Sequence, residues 1–234
     1  MWRDWTVLAV VPARGGSKGV PRKNLRQICG QSLICYAAQT IAALDWLDCA
    51  LLSTDDDEMA VEAERYGLSA PFRRPATLSS DSATSVAMWQ HAWRKAESWS
   101  GLHFDVSILL EPTSPMRRPD DIAKIMETLS ETRTRSAATV SPTPAHFTPE
   151  KMLCLDERDL VRPYLNRRTS RRQEIPPYYH VNGVCYAVTR SELLQGGTII
   201  GANCAAVIID RPLVNIDDEF DLELAEYLMK KAGR

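Results

Sequence analysis

The sequence predicts an α/β fold, doubly wound around a mostly parallel sheet, and three observations carry that prediction. Short apolar runs suited to buried strands recur at residues 7–11, 49–53, 106–110, 137–140, 184–188 and 205–209. Patterns of helical period fill the gaps between the earlier runs, at 32–44, 56–66, 84–97 and 119–129. Strands alternating with helices of that length are joined by crossovers, which makes neighbouring strands parallel. The 234 residues suffice for one such domain with a substantial core.

The first run, VLAVV, empties into ARGGSKGVPRKN. Gly15, Gly16 and Gly19 allow a tight turn and close approach to a ligand, while Arg14, Lys18, Arg22 and Lys23 place positive charge at the same spot. The order is not that of a Walker A loop, because Lys18 precedes Gly19 and no hydroxyl follows, and G-x-G-x-x-G is absent. Ligands of open α/β sheets bind outside the carboxyl ends of the strands. The turn after the first strand is therefore expected to hold a polyphosphate; the alternative is a solvated basic turn.

The second strand ends in Ser53-Thr54-Asp55-Asp56-Asp57, where Asp55 or Asp56 is placed to cap the following helix. A polar connection, Arg73-Arg74-Pro75 and then 79–82, precedes the third helix. The strand at 106–110 breaks into Glu111-Pro112-Thr113-Ser114-Pro115, whose two prolines stiffen the turn that presents Thr113 and Ser114. Pro119 followed by Asp120 and Asp121 is a helix start. The rhythm stops at 141–177, which holds six prolines and RRTSRR and reads as an excursion from the sheet, a dimerisation arm. A last amphipathic helix is expected at 217–231, acidic at its start and basic at its end.

Composition narrows the partners. A net charge of −2 excludes a general polyanion-binding surface, so nucleic acid is not expected and the basic patches point to a small anionic ligand. The six cysteines form no C-x-x-C pair and read as buried free thiols of a reducing compartment. The N-terminal apolar run is five residues long, far below the ~18 that span a bilayer, so neither a membrane nor a cleaved signal is expected and the location reads as cytoplasmic.

Six ordered motifs, ARGGSKGVPRKN, STDDDEMA, FRRPATLSSD, LLEPTSPMRRPDDI, SRRQEIPPYYHVNG and NIDDEFD, resemble those of the acylneuraminate cytidylyltransferases over nearly the whole chain. The resemblance implies a Rossmann-like sheet of the nucleotide-diphospho-sugar transferase type. It also implies a single domain over 1–234, a dimerisation and sugar-binding excursion within 141–200, and a homodimer. The implied reaction joins an acidic nine-carbon α-keto sugar to CTP with magnesium, forming a CMP-sugar and releasing pyrophosphate.

Carried over residue by residue, the resemblance assigns Arg14, Ser17, Lys18 and Lys23 to the triphosphate, and Asn24, Arg74, Ser82 and Thr84 to the nucleotide. Arg14, Lys18 and Asp217 are the implied catalytic residues. Glu111, Thr113, Ser114, Arg172, Asn182 and Tyr186 are implied for the sugar, with Arg117 near one substrate or the other. His180 is either a base or a packed residue. Asn215 and Asp217, on one side of an extended segment, are the implied metal residues.

This chain departs from the family pattern in three places. Glu111 stands where glutamine is common, so it either meets a different sugar substituent or pairs with an arginine. Asn215 stands where aspartate is usual, removing one charge from the metal site. Ile199 and Ile200 replace a pair of phenylalanines, which points to a relative of N-acetylneuraminate such as legionaminate. Two alternatives stand beside this expectation. One is a cytidylyltransferase for pseudaminate or an eight-carbon keto-deoxy acid. The other is a weakly catalytic nucleotide-binding homologue, motivated by Glu111 and Asn215.

Overall fold

The computed structural model describes residues 1–17, 19–165, 173 and 175–233. Its centre is a six-stranded sheet in the order β10-β6-β9-β5-β1-β4. The strands are β1 (Val7–Pro12), β4 (Cys49–Ser53), β5 (Val106–Leu109), β6 (Ser136–Pro142), β9 (Tyr179–Thr189) and β10 (Cys204–Ile208). A two-residue pair, β2 (Gln27–Ile28) and β3 (Gln31–Ser32), follows the first loop. A separate hairpin is made by β7 (Leu153–Leu155) and β8 (Val161–Pro163).

β1 is fully buried up to Pro12 because it is covered on both faces. Its alternating side chains divide the core in two. Val7, Ala9 and Val11 pack with α1 (Leu33–Ala42), α2 (Asp57–Arg65) and α4 (Pro119–Thr132), whereas Leu8 and Val10 pack with Trp89 and Trp93 of α3 (Ser85–Ser100). β1 lies parallel to both β4 and β5, and β10 parallel to β6. The departure from parallel pairing is β9, antiparallel to β5 and β6. α4 therefore carries the chain from β5 to β6 past a strand that is inserted later.

All six expected strands are present, and β9 is longer than its apolar run. The first three residues, Tyr179 to Val181, pair with Pro142, Ser141 and Val140 of β6 beyond a register shift, where β5 has already ended. Polar residues can continue a strand there because no second neighbour or covering helix demands apolar ones. The expected excursion begins at this extension and contains the β7–β8 hairpin.

Helix boundaries follow cap chemistry. Ser32, Asp56 and Thr84 accept hydrogen bonds from backbone N–H groups three residues on, at 3.0, 3.0 and 3.1 Å. The helices expected from 32, 56 and 84 thus start at what are in fact their caps, whereas the one expected from 119 begins at Pro119 itself. α3 runs past 97 to Ser100, ended by Gly101 at φ 72°. α5 (Glu219–Lys231) opens with a capping box in which the Asp221 N–H donates to Asp218 and the Asp218 N–H donates to Asp221. Its apolar face joins Val20, Ile28, Leu33, Val214 and Ile216 in a third cluster. That packing holds the segment before α5 against the loop after β1.

All six cysteines are unpaired. The expectation that they are mostly buried is met only for Cys35 and Cys185, while Cys154 is exposed on the β7–β8 hairpin. No helix among the described residues is long and apolar enough to cross a membrane.

Candidate active site

A cavity of about 570 Å³ opens at the carboxyl ends of β1 and β5, with Pro12 and Leu109 in its wall. One side is the loop after β1, contributing Arg14, Ser17, Gly19, Lys23 and Asn24. The opposite side is the segment before α5, contributing Asn215 and Asp217. The two sides touch: Lys23 Nζ donates to Ile216 O at 2.7 Å and pairs with Asp217 Oδ1 at 3.0 Å. Gly19 is required for this approach, since a Cβ there would lie 2.2 Å from Asp217 O.

The glycine loop is held by the turn after β4. The Gly15 N–H donates to Asp55 Oδ1 at 3.1 Å, and a Cβ on Gly15 would lie 3.0 Å from Asp56 Oδ2. Asp56 also caps α2, so Asp56 is the cap and Asp55 the loop anchor. Arg22 is placed at φ 54° and pairs with Asp56 and Glu58 at 3.3 and 2.8 Å, which orients it away from a ligand role. Asn24 is buried and its amide reaches Arg14 O at 3.5 Å.

Arg74 lies in the cavity wall, buried, with Nε donating to Ser79 at 3.0 Å and a guanidinium nitrogen 3.8 Å from Asp55. Burial lowers its pKa, the nearby Arg14 adds to the effect and Asp55 opposes it. Arg14 pairs with Asp81 at 3.0 Å across the mouth. Two arginines facing one cavity, each against a carboxylate, make an anion site guarded by exchangeable partners. Sequence reasoning missed Asp81: in a run of serines and one acid, nothing marks it as the partner of an arginine 67 positions earlier.

The third wall is the turn after β5. Glu111, Pro112 and Thr113 line the cavity, and the Ile216 N–H donates to Thr113 O at 2.9 Å, tying this turn to the Asn215–Asp217 side. The turn is fixed from beneath by Arg117, whose Nε donates to Val184 O at 2.8 Å and whose terminal nitrogen donates to the carbonyls of Glu111 and Gly183. Burial pushes Arg117 down to about 10, with the charges of Cys185, Glu111 and Asp121 opposing. Arg117, expected near a substrate, is thus a buried brace between this turn and β9. Ser114 lies in the same layer, its hydroxyl donating to Asn182 O at 3.0 Å.

Gly183 sits at φ 68°, and a Cβ there would lie 2.5 Å from Glu111 Oε2, 2.9 Å from Ser114 Oγ and 3.4 Å from Asn215 Oδ1. Three side chains, two from the turn after β5 and one from the segment before α5, therefore converge on a residue that must be glycine. Burial raises the pKa of Glu111; Asp217 adds to the shift, while Arg117 and Lys23 oppose it. Its carboxylate makes no hydrogen bond among the described residues, so the arginine pairing expected as an alternative takes the form of a bond to its backbone carbonyl instead.

Of the sequence-predicted site residues, Arg14, Ser17, Lys23, Asn24, Arg74, Thr84, Glu111, Thr113, Asn215 and Asp217 line the one cavity. Lys18 and Arg172 lie outside the described residues. Ser82 is exposed and bonded to Ser80, and Thr84 doubles as the α3 cap. Asn182 faces the sheet: its Oδ1 accepts from Thr139 at 2.7 Å and its Nδ2 donates to Ser141 at 3.1 Å, which satisfies the amide away from the cavity. Tyr186 packs against the α3 side of the core, and burial, with Glu111 adding, raises its phenol. His180 bonds to Thr143 at 3.1 Å outside the cavity wall. Ile199 packs on the α3 cluster while Ile200 is exposed.

A cleft at the strand ends, with a basic glycine loop facing a carboxylate segment, is the build of a nucleotidyltransferase. The solved structure of CMP:2-keto-3-deoxy-manno-octonic acid synthetase complexed with CTP shares this fold, at a TM-score of 0.74 and 18% identity over 97% of this chain and 99% of that one. The chain belongs to the cytidylyltransferase family, whose model matches residues 8–192. It is 31% identical to the pseudaminic acid cytidylyltransferase of Campylobacter jejuni, over 95% of this chain and 96% of that protein. It is 30% identical to the CMP-N,N'-diacetyllegionaminic acid synthase of Legionella pneumophila, over 96% of each.

Proposed function

We propose that this enzyme transfers CMP from CTP to the anomeric hydroxyl of an acidic nine-carbon α-keto sugar of the legionaminate, pseudaminate and neuraminate group. The observation that carries the reading is the single cavity that brings Arg14, Lys23 and Asn24 opposite Asn215 and Asp217, in a chain whose relatives bear names of that chemistry. In the reaction a bond forms from the anomeric oxygen to the α-phosphorus. The bond to the bridging oxygen breaks, pyrophosphate leaves with the electron pair, and the hydroxyl proton passes to solvent.

Such a transfer asks the protein for position and charge rather than covalent chemistry. Arg14 and Lys23 hold phosphate oxygens once they exchange Asp81 and Asp217 for the ligand, and Asn24 and Arg74 orient the nucleotide. Lys18 and Arg172 remain assigned to phosphate and sugar carboxylate by the family resemblance. The donor set at Asn215 and Asp217, an amide carbonyl and a carboxylate, is all oxygen and suits magnesium, which commonly takes one or two carboxylates plus phosphate oxygens. Bound there, magnesium would neutralise phosphate charge. Measuring pyrophosphate release with CTP, magnesium and a panel of nonulosonic acids tests the reading. We expect release with at least one; none with any of them would refute it.

The excursion supports a homodimer. Leu153, Leu155 and Val161 of the β7–β8 hairpin are 63%, 67% and 60% exposed, an apolar surface that monomers rarely leave open. A second copy of the chain is its occupant in this reading. The unpaired cysteines fit a reducing compartment, in keeping with a cytoplasmic enzyme.

A further inference from the structure

The two departures from the family pattern that touch the chemistry, Glu111 and Asn215, are 104 positions apart in sequence and meet at Gly183. We propose that Glu111 is a ligand of the divalent cation in this enzyme and supplies the carboxylate that position 215 lacks. The resemblance implies an amide at 111 and a carboxylate at 215; this chain carries the carboxylate at 111 and the amide at 215. The inference rests on the CTP-dependent reading above.

Charge is the first argument. Asn215 is neutral, and Asp217 is matched by Lys23 Nζ at 3.0 Å. Once Lys23 turns to a phosphate oxygen, Asp217 is left as one carboxylate for a dication, and Glu111 would add a second. Among the described residues no group of three or more acidic, histidine or cysteine side chains gathers to replace it. Two carboxylates and an amide oxygen, completed by phosphate oxygens, are enough for a small hard cation.

Orientation is the second. Glu111 lines the cavity, its carboxylate makes no hydrogen bond among the described residues, and its backbone is held in place by Arg117. Both substrates are anions, and the Glu111 carboxylate, whose charge Arg117 and Lys23 offset without a hydrogen bond to it, would repel them. A cation lying between Glu111 and the phosphates turns that repulsion into attraction. Gly183 is what allows the approach, because any side chain there would occupy the space between Glu111 and Asn215.

The test reads cation binding in the absence of sugar. Free Mn2+ is measured by electron paramagnetic resonance during titration of the enzyme with saturating CTP, for the wild type, E111Q and E111Q/N215D. Because even outer-shell partners of a metal commonly contribute about tenfold to affinity, E111Q is expected to weaken Mn2+ by about tenfold or more. E111Q/N215D should return to within about threefold of wild type, and this recovery also rules out misfolding as the cause of the first loss. Unchanged Mn2+ affinity in E111Q, or a double variant no better than E111Q, would overturn the proposal. A higher sugar KM in E111Q with Mn2+ affinity intact would make Glu111 a sugar contact instead. A wild type that fails to bind CTP would overturn the functional reading, and the proposal with it, so the two failures are distinguishable.

Discussion

Arg14 and Asp217 face each other across the cavity, and each holds an exchangeable partner, Asp81 and Lys23. Loss of a charged hydrogen bond costs about 1.5–3 kcal/mol, so Arg14→Ala should raise the CTP KM by roughly 10- to 100-fold, which steady-state kinetics would detect. Asp217→Ala should lower kcat by about 100-fold or more, while its circular dichroism melt stays near wild type because the side chain is largely exposed. Undiminished turnover would remove Asp217 from the machinery. Gly183→Ala combines a positive φ with a contact to Glu111 Oε2 and should cost at least about 1–3 kcal/mol in a denaturant melt. At this scale the sequence was legible where chemistry is concentrated in one run, as in the loop after β1. It pointed Arg117 and Asn182 at a substrate and did not reveal their bonds to neighbouring strands, because whether a polar side chain faces a ligand or braces a neighbour depends on strands that meet only in three dimensions.

Among the elements, α3 is tied to the sheet by Trp89 Nε1, which donates to Ser107 of β5 at 2.8 Å, and to the segments beside the sheet by one carboxylate. Glu97 accepts from Arg190 on the segment after β9 (3.1 Å to its second oxygen), from the Phe104 N–H at 3.1 Å and from Trp93 Nε1 at 3.3 Å, with His103 nearby. Burial alone would raise the Glu97 pKa, and the bonds from Arg190, Phe104 and Trp93 override it and hold the carboxyl below the ordinary 4.5. A depressed carboxyl pKa stabilises the fold above the unfolded value and loses that contribution as pH falls through the folded one. Glu97→Gln should therefore lower stability by about 2 kcal/mol at pH 7, and the gap from wild type should close as thermal melts are taken below pH 4.5. Caps and periodicity made the helices readable in the letters. The extension of β9 back to Tyr179 was not, because its pairing to β6 uses backbone groups and leaves no apolar pattern.

For the whole molecule, alternation of strands and helices was enough to predict a doubly wound sheet with its ligand at the strand ends. The antiparallel insertion of β9 between β5 and β6 was hidden, since strand order is set by long-range pairing that no local run encodes. The β7–β8 hairpin stands apart from that sheet with its apolar side chains exposed. Leu155→Glu with Val161→Glu should convert a dimer to a monomer in light scattering after size exclusion; an unchanged dimer would place the interface elsewhere. The account turns on the cavity between the glycine loop and the segment before α5. A crystal structure with CTP tests it most directly: we expect the triphosphate within hydrogen-bond distance of Arg14 and Lys23, facing Asp217, and a nucleotide bound elsewhere with that cavity vacant would contradict it.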